Sequence, residues 1–164
     1  MTQKNATSRA TPRARKAAEP PAARLDRGEL DETLGFRLRG AWNYMDQYFA
    51  KCFAGTGLTS QHYAMLIVIE KNPGCRISDL CRAISISPNN IVPALDLLLG
   101  RGLVYRDFST HDRRIKRLGI TDTGRRYLAE LRKIHQPVTD HFLDKLGAQN
   151  MRKLVKLLCM IDER

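Results

Sequence analysis

The sequence predicts a mainly α fold carrying one small β-hairpin. Over most of the chain apolar residues recur at three- and four-residue steps, the spacing of amphipathic helices. Between residues 103 and 120 that spacing gives way to two short strand-like runs around a charged turn. The 164 residues, 43% apolar and 27% charged, suit one compact core with an appended tail and leave no room for two full domains.

Residues 1–27 hold seven Lys or Arg against two acids, with one Leu and no aromatic. Such a segment buries too little surface to offset the entropy of ordering, so it reads as a mobile, disordered basic tail. Residues 28–164 then form a single domain. From Glu29 to Ala54 the residues Leu30, Leu34, Leu38, Ala41, Met45 and Phe49 stripe a long helix ended near Gly55 and Gly57. Thr59 caps a second helix through Lys71, apolar on most of its surface and stopped by Asn72-Pro73-Gly74. Ser78 caps a brief helix from Asp79 to Ile84, and Ser87-Pro88 opens another, striped by Ile91, Ala94, Leu95 and Leu98. Gly102 supplies the left-handed residue after it.

Strands follow over Leu103–Phe108 and Ile115–Ile120, flanking the charged tip Ser109–Arg114. Thr121 caps a long helix to about Leu146, which Pro137 is expected to kink or break. Met151, Leu154, Val155 and Leu158 stripe a last helix.

Charge narrows the function. Twenty-eight basic against 17 acidic residues leave +11, and a pI near 9.9 points to a polyanionic partner. The part after residue 27 is itself basic. The longest apolar run, Ala64–Ile69, is far short of the roughly 20 residues that span a bilayer, so no membrane partner is expected. The N-terminus lacks the apolar core of a secretory signal, which makes a cytoplasmic location the expectation. Cys52, Cys75, Cys81 and Cys159 have neither disulfide-framework nor metal-ligand spacing and read as reduced structural thiols, with Cys81 and Cys159 at buried helical positions. No phosphate loop, paired-carboxylate motif, nucleophile elbow or metal cluster is present, so neither an enzyme nor a metal or other cofactor is expected.

Two short helices joined by a tight turn and followed at once by a two-stranded wing form a device for reading duplex DNA: the second helix enters the major groove while the wing grips alongside. The order of elements, the Asp112-Arg113-Arg114 tip, the Leu118-Gly119-Ile120-Thr121-Asp122-Thr123-Gly124 run, Asp96, and Leu98 with Gly102-Leu103-Val104 together resemble the MarR family of bacterial transcriptional regulators over residues 30–164. The resemblance implies a winged helix-turn-helix lobe over about 58–121, flanked by long N- and C-terminal dimerisation helices over about 30–54 and 122–162. It implies a homodimeric repressor that binds palindromic promoter sites on double-stranded DNA in the bacterial nucleoid.

Carried over residue by residue, Ser87, Pro88, Asn89 and Asn90 begin the recognition helix, and an Asn amide can pair bidentately with adenine. Pro93 departs from the commoner family pattern and removes an NH one turn into that helix. Arg113 and Arg114 are the expected minor-groove residues, with Asp112 orienting one guanidinium by a salt bridge. Arg106, His111 and Lys116 are candidates for phosphate, as is Ser78 at a helix N-terminus. The resemblance further implies a small aromatic or phenolic acid effector that releases the DNA. Arg39 is the candidate for its carboxylate, with Phe36, Trp42, Asn43, His62 and Tyr63 as walls. Two competing readings stand beside this one: a sequence-neutral architectural nucleic-acid-binding protein, and a regulator that senses oxidants through a thiol.

Overall fold

The computed structural model describes residues 25–108 and 116–162. The wing tip and nearly all of the expected tail therefore lie outside the described residues. A 3-10 turn over Gly28–Glu32 leads into helix α1 (Leu34–Phe53), followed by α2 (Ser60–Lys71), α3 (Ile77–Ile84) and α4 (Pro88–Gly100). Strands β1 (Val104–Phe108) and β2 (Lys116–Ile120) pair antiparallel, Val104 opposite Ile120 and Phe108 opposite Lys116. Helices α5 (Asp122–Leu146) and α6 (Ala148–Asp162) complete the chain. The mainly α class with a hairpin wing is thus the observed one.

The core gathers where the helix stripes meet the hairpin. Met65, Leu66 and Ile69 of α2, Leu80 of α3, Ile91, Leu95 and Leu98 of α4, and Leu128 and Leu131 of α5 are all fully buried. Leu118 and Ile120 close it from β2. An aromatic seam joins α1 to the rest: Phe49 and Phe53, stacked on each other at 3.8 Å within α1, lie 6.1 and 5.6 Å from the Tyr63 ring of α2, and Tyr48 stacks on His141 of α5 at 3.9 Å. A second tie runs from α2 to α5, where Arg132 grips the Glu70 carboxylate and holds its pKa below the usual carboxylate range, chiefly by that hydrogen bond.

Two glycines fix the join between wing and α5. Gly102 adopts φ +65° after α4, the left-handed turn its position predicts. Gly124 sits so close to the start of the wing that a Cβ there would lie 1.9 Å from the Leu103 carbonyl oxygen. Thr121 completes the junction, accepting from the Gly124 NH at 2.9 Å while its hydroxyl donates to the Gly102 carbonyl at 2.7 Å.

Several expectations need correction. The first helix does not run unbroken from Glu29, because Thr33 takes an extended conformation that separates the 3-10 turn from α1. Its expected stripe is largely uncovered within the chain: Leu30, Leu34 and Met45 are exposed and only Phe49 and Phe53 of α1 are buried. Ser78 is not the cap of α3. Arg76 is, and its NH donates to the Asp79 carboxylate at 3.0 Å, leaving Ser78 in the first turn. Pro137 does not break α5, and α4 likewise runs through Pro93. Cys159 is exposed on α6 and not buried. A short bridge from Cys75 to Leu118 extends the hairpin by a third segment, with the Leu118 NH donating to the Cys75 carbonyl at 2.9 Å. Nothing in the local spacing signals that long-range pairing.

Candidate nucleic-acid interface and effector cavity

Helices α3 and α4 are joined by Ser85–Ser87, and the turn is closed by backbone bonds. Ser85 takes φ 55°, the one non-glycine residue with positive φ among the described residues, and the Ile86 NH donates to the Cys81 carbonyl at 3.0 Å. Ser87 is the N-cap of α4: its carbonyl accepts from the Asn90 and Ile91 NH groups at 3.0 and 3.2 Å. Its hydroxyl makes no capping bond, so the helix start is not closed off by its own cap side chain.

The burial pattern of α4 separates two faces. Ile91, Ala94, Leu95 and Leu98 are locked into the core, while Pro88, Asn89, Val92, Pro93 and Asp96 are exposed along one stripe. Asn89 stands in that stripe. Asn90 is also exposed but flanks it toward α2, where Gln61 Nε2 donates to the Asn90 carbonyl at 3.3 Å. Val92, 44% exposed, carries no motif that marks it in the sequence, yet a helical projection anchored on Ile91 and Leu95 places it beside Asn89. An apolar side chain there suits a thymine methyl. Ser78 is exposed in the first turn of α3.

The wing is braced against this helix. Arg106 of β1 reaches Asp96 of α4 at 3.9 Å with only about a quarter of its side chain exposed, so it ties the hairpin to α4. Arg117 donates to the Gly74 carbonyl at 3.3 Å. The backbone of Lys116 is paired opposite Phe108 at the start of β2. His111, Asp112, Arg113 and Arg114 lie outside the described residues.

A second site lies between α1, α2, α5 and the helix-turn-helix. A cavity of about 190 Å³ is lined by Trp42, Met45, Phe49, Tyr63, His135 and Val138, with Asp46 and Ser60 at one edge. Trp42, Asp46 and Ser60 also line a larger cavity of about 640 Å³, whose far wall is the Ile84–Ile86 turn. His135 stacks on Tyr63 at 4.8 Å, and burial holds its pKa below the ordinary histidine value while pushing the Tyr63 phenol up. Of the residues expected to form an effector site, Trp42 and Tyr63 are brought together here. Trp42 is 61% exposed, as a cavity wall and not as core.

The other four lie elsewhere. His62 is buried facing the N-terminus of α2, its Nδ1 taking the Thr59 NH at 3.1 Å and lying 2.7 Å from the Thr59 hydroxyl. Burial, helped by Arg101, lowers its pKa. Phe36 is half-buried beneath Arg27, and neither Arg39 nor Asn43 lines either cavity. Asp46 and His135 are cavity residues that the sequence does not reveal, because their juxtaposition depends on how α1 and α5 cross. Among the described residues no group of three or more His, Cys, Asp or Glu side chains could hold a metal ion. No described helix is long and apolar enough to cross a membrane.

Comparison with known proteins bears on both sites. Residues 56–115, which contain the helix-turn-helix, match a family model described as MarR family. A putative transcriptional regulatory protein for the hcr operon of Thauera aromatica is 33% identical over 144 residues, 87% of each chain. Among solved structures, the transcriptional repressor CouR bound to a 23-mer DNA duplex superposes with a TM-score of 0.79 at 34% identity, covering 84% of this chain and 98% of that one. The same repressor bound to p-coumaroyl-CoA gives 0.76 at 34% identity, covering 84% and 97%.

Proposed function

The chain belongs to the MarR family of transcriptional regulators, and from that premise we propose that it is a homodimeric repressor whose α4 reads double-stranded DNA at palindromic promoter sites. The observation that carries this reading is the two-faced character of α4. One face is fixed in the core, while the opposite stripe offers Asn89 and Val92 to solvent beside a hairpin braced through Arg106 and Asp96. A major groove accepts a helix presenting such an edge. Asn89 pairs with a base, Ser87, Pro88 and Asn90 line the helix start, Ser78 meets phosphate at the start of α3, and Arg113 and Arg114 grip the adjacent minor groove.

In this reading residues 58–121 form the DNA-reading lobe, and the helices over 30–54 and 122–162 form the dimer. Support for the dimer comes from apolar surface that one chain leaves uncovered: Leu34 and Met45 on α1, and Leu154, Val155, Leu158 and Ile161 on α6. A patch of that kind marks an interface. The protein acts in the bacterial cytoplasm, at the nucleoid, with the basic tail adding sequence-neutral attraction.

The cavities between α1, α2, α5 and the helix-turn-helix take an aromatic effector whose binding releases DNA. Their volumes suit a small molecule, the larger abuts the turn that sets α4, and a 34% identical repressor has been solved with p-coumaroyl-CoA. A mobility-shift assay at physiological salt tests the reading, using duplex from upstream of the protein's own gene and a scrambled duplex of equal length. The expected result is a preference of about 10³-fold or more for the upstream site, on the order seen for specific regulators. Equal affinity for both duplexes would establish an architectural protein instead.

A further inference from the structure

From Pro88 to Gly100, helix α4 carries no Lys or Arg, and its one charged side chain is Asp96. The basic residues that flank it in sequence are engaged elsewhere. Arg82 bonds Asp79 at 2.6 Å, Arg101 donates to the Thr56 carbonyl at 2.7 Å, and Arg106 holds Asp96. The commonest specific contact to guanine, a guanidinium or ammonium on its O6 and N7, is therefore not offered by this helix. What α4 does expose, besides Asn89, is an apolar ridge of Pro88, Val92 and Pro93.

Folding alone does not account for that ridge. Pro93 lies inside α4, where it removes an NH from the helical ladder, and as an exposed residue it covers no core. Val92 beside it is 44% exposed. On a helix residues 89, 92 and 93 share a face, with Asn89 and Val92 about 4.5 Å apart along the axis. Successive bases of a duplex strand are about 3.4 Å apart, so when Asn89 meets one base, Val92 and Pro93 come against the next. The C5-methyl of thymine is the apolar group that a base presents in the major groove. An apolar ridge gains by covering it. Against guanine or cytosine the same ridge would strip water from donors and acceptors without replacing their hydrogen bonds.

We propose that Val92, flanked by Pro93, is a specificity-determining residue of DNA recognition: it seats the methyl group of a thymine adjoining the adenine read by Asn89, so each half-site has an A·T core under α4. This inference rests on the assignment of α4 to the major groove.

Uracil differs from thymine by that methyl alone, which makes the contact separable from the rest of the interface. Duplex from upstream of the protein's own gene is prepared with thymine and again with uracil in place of every thymine, and a scrambled duplex is prepared in the same two forms. Each is titrated with the full-length protein by mobility shift at physiological salt. The thymine form of the upstream duplex should bind on the order of tenfold more tightly than the uracil form, since burying one methyl supplies about fourfold and each half-site contributes one. The scrambled duplex should bind equally in both forms. Val92→Ala should shrink the thymine preference toward unity, whereas Val92→Ile, which keeps a branched apolar surface, should retain it. Pro93→Ala separates recognition from folding: restoring the helical NH should raise the melting midpoint while the thymine preference falls. Equal affinity for the thymine and uracil forms, with both preferred over the scrambled duplex, would overturn the proposal and leave sequence reading by α4 intact, as would a thymine preference unchanged in Val92→Ala. No preference for the upstream duplex over the scrambled one would remove that reading and this proposal with it.

Discussion

At the residue scale, DNA recognition depends on which side chains are free to act and which are already engaged. Asn89 stands in the exposed stripe of α4, whereas the Asn90 backbone is held by Gln61. Asn89→Ala should therefore cost about 1 to 3 kcal/mol of DNA affinity and relax preference at one base position, with Asn90→Ala costing less; competition mobility shifts on singly substituted duplexes measure both. Arg106 is a contrasting case. Its charge suggests phosphate, but the fold uses it to tie the wing to Asp96, and only the three-dimensional crossing of β1 over α4 reveals that. His62 illustrates the same limit, because its aromatic ring fits a binding-site wall in sequence while its Nδ1 serves Thr59 in the structure. Its pKa and that of His135 are both lowered by burial, so each is neutral when folded at pH values where the unfolded chain begins to bind a proton. Their contribution to stability is fully present above about pH 6.5 and is lost as pH falls below that toward the depressed folded values. Thermal melts between about pH 7.5 and 5.5, spanning the ordinary histidine pKa, should show the midpoint falling with acidification, and His135→Gln should flatten the trend.

At the element scale most of the fold is legible in the sequence, because helix stripes, caps and the change of period at residue 103 are local signals. The starts of α2, α4 and α5 fall where Thr59, Ser87 and Thr121 place them, whereas the described strands begin one residue later than expected, at Val104 and Lys116. The discrepancies are instructive. Pro137 fails to break α5, whose stripe of Leu128, Leu131, Val138 and Phe142 is buried on both sides of the proline. Packing on both flanks outweighs one missing NH. The Cys75 to Leu118 bridge has no local signature, since it joins segments far apart in sequence. Gly124 is a position where an element's placement depends on a missing side chain. Gly124→Ala should force α5 away from the Leu103 carbonyl and destabilise the protein by about 3 kcal/mol, the upper range for overpacking. Gly119→Ala should cost less, because the atoms it meets belong to the Tyr105 ring, which is half exposed and free to swing outward. Chemical denaturation of the two variants checks the ranking. For the wing, Arg113→Ala combined with Arg114→Ala should weaken DNA binding strongly while leaving the melting midpoint of the free protein unchanged.

At the scale of the whole molecule, two features of composition acquire a place. The first is apolar surface: the α1 stripe that one chain leaves open continues in kind on α6, where Leu154, Val155, Leu158 and Ile161 are all exposed. The sequence announces these stripes without saying what covers them, because amphipathicity specifies a face and not its partner. Sedimentation equilibrium should give a dimer, and Leu158→Glu should shift it toward monomer and abolish high-affinity DNA binding together. The second feature is charge. A net +11, part of it in residues 1–27, predicts a steep dependence of DNA affinity on salt. Deleting those residues should lower that slope and reduce affinity for scrambled DNA more than for a true site. The proposed effector cavity belongs to this scale too, because it lies between α1 and the turn that orients α4, where occupancy by a ligand would bear on both.

The claim on which the rest depends is that the exposed edge of α4, doubled by two-fold symmetry, recognises base sequence. Selection from a pool of random duplexes with the full-length protein at physiological salt tests it with no operator assumed. The expected outcome is enrichment of a palindrome whose half-sites are centred about 10 base pairs apart, one helical turn, and loss of one specified position in each half-site when Asn89→Ala is used. A pool that is retained in bulk with no enriched sequence, or a consensus unchanged by Asn89→Ala, would contradict it.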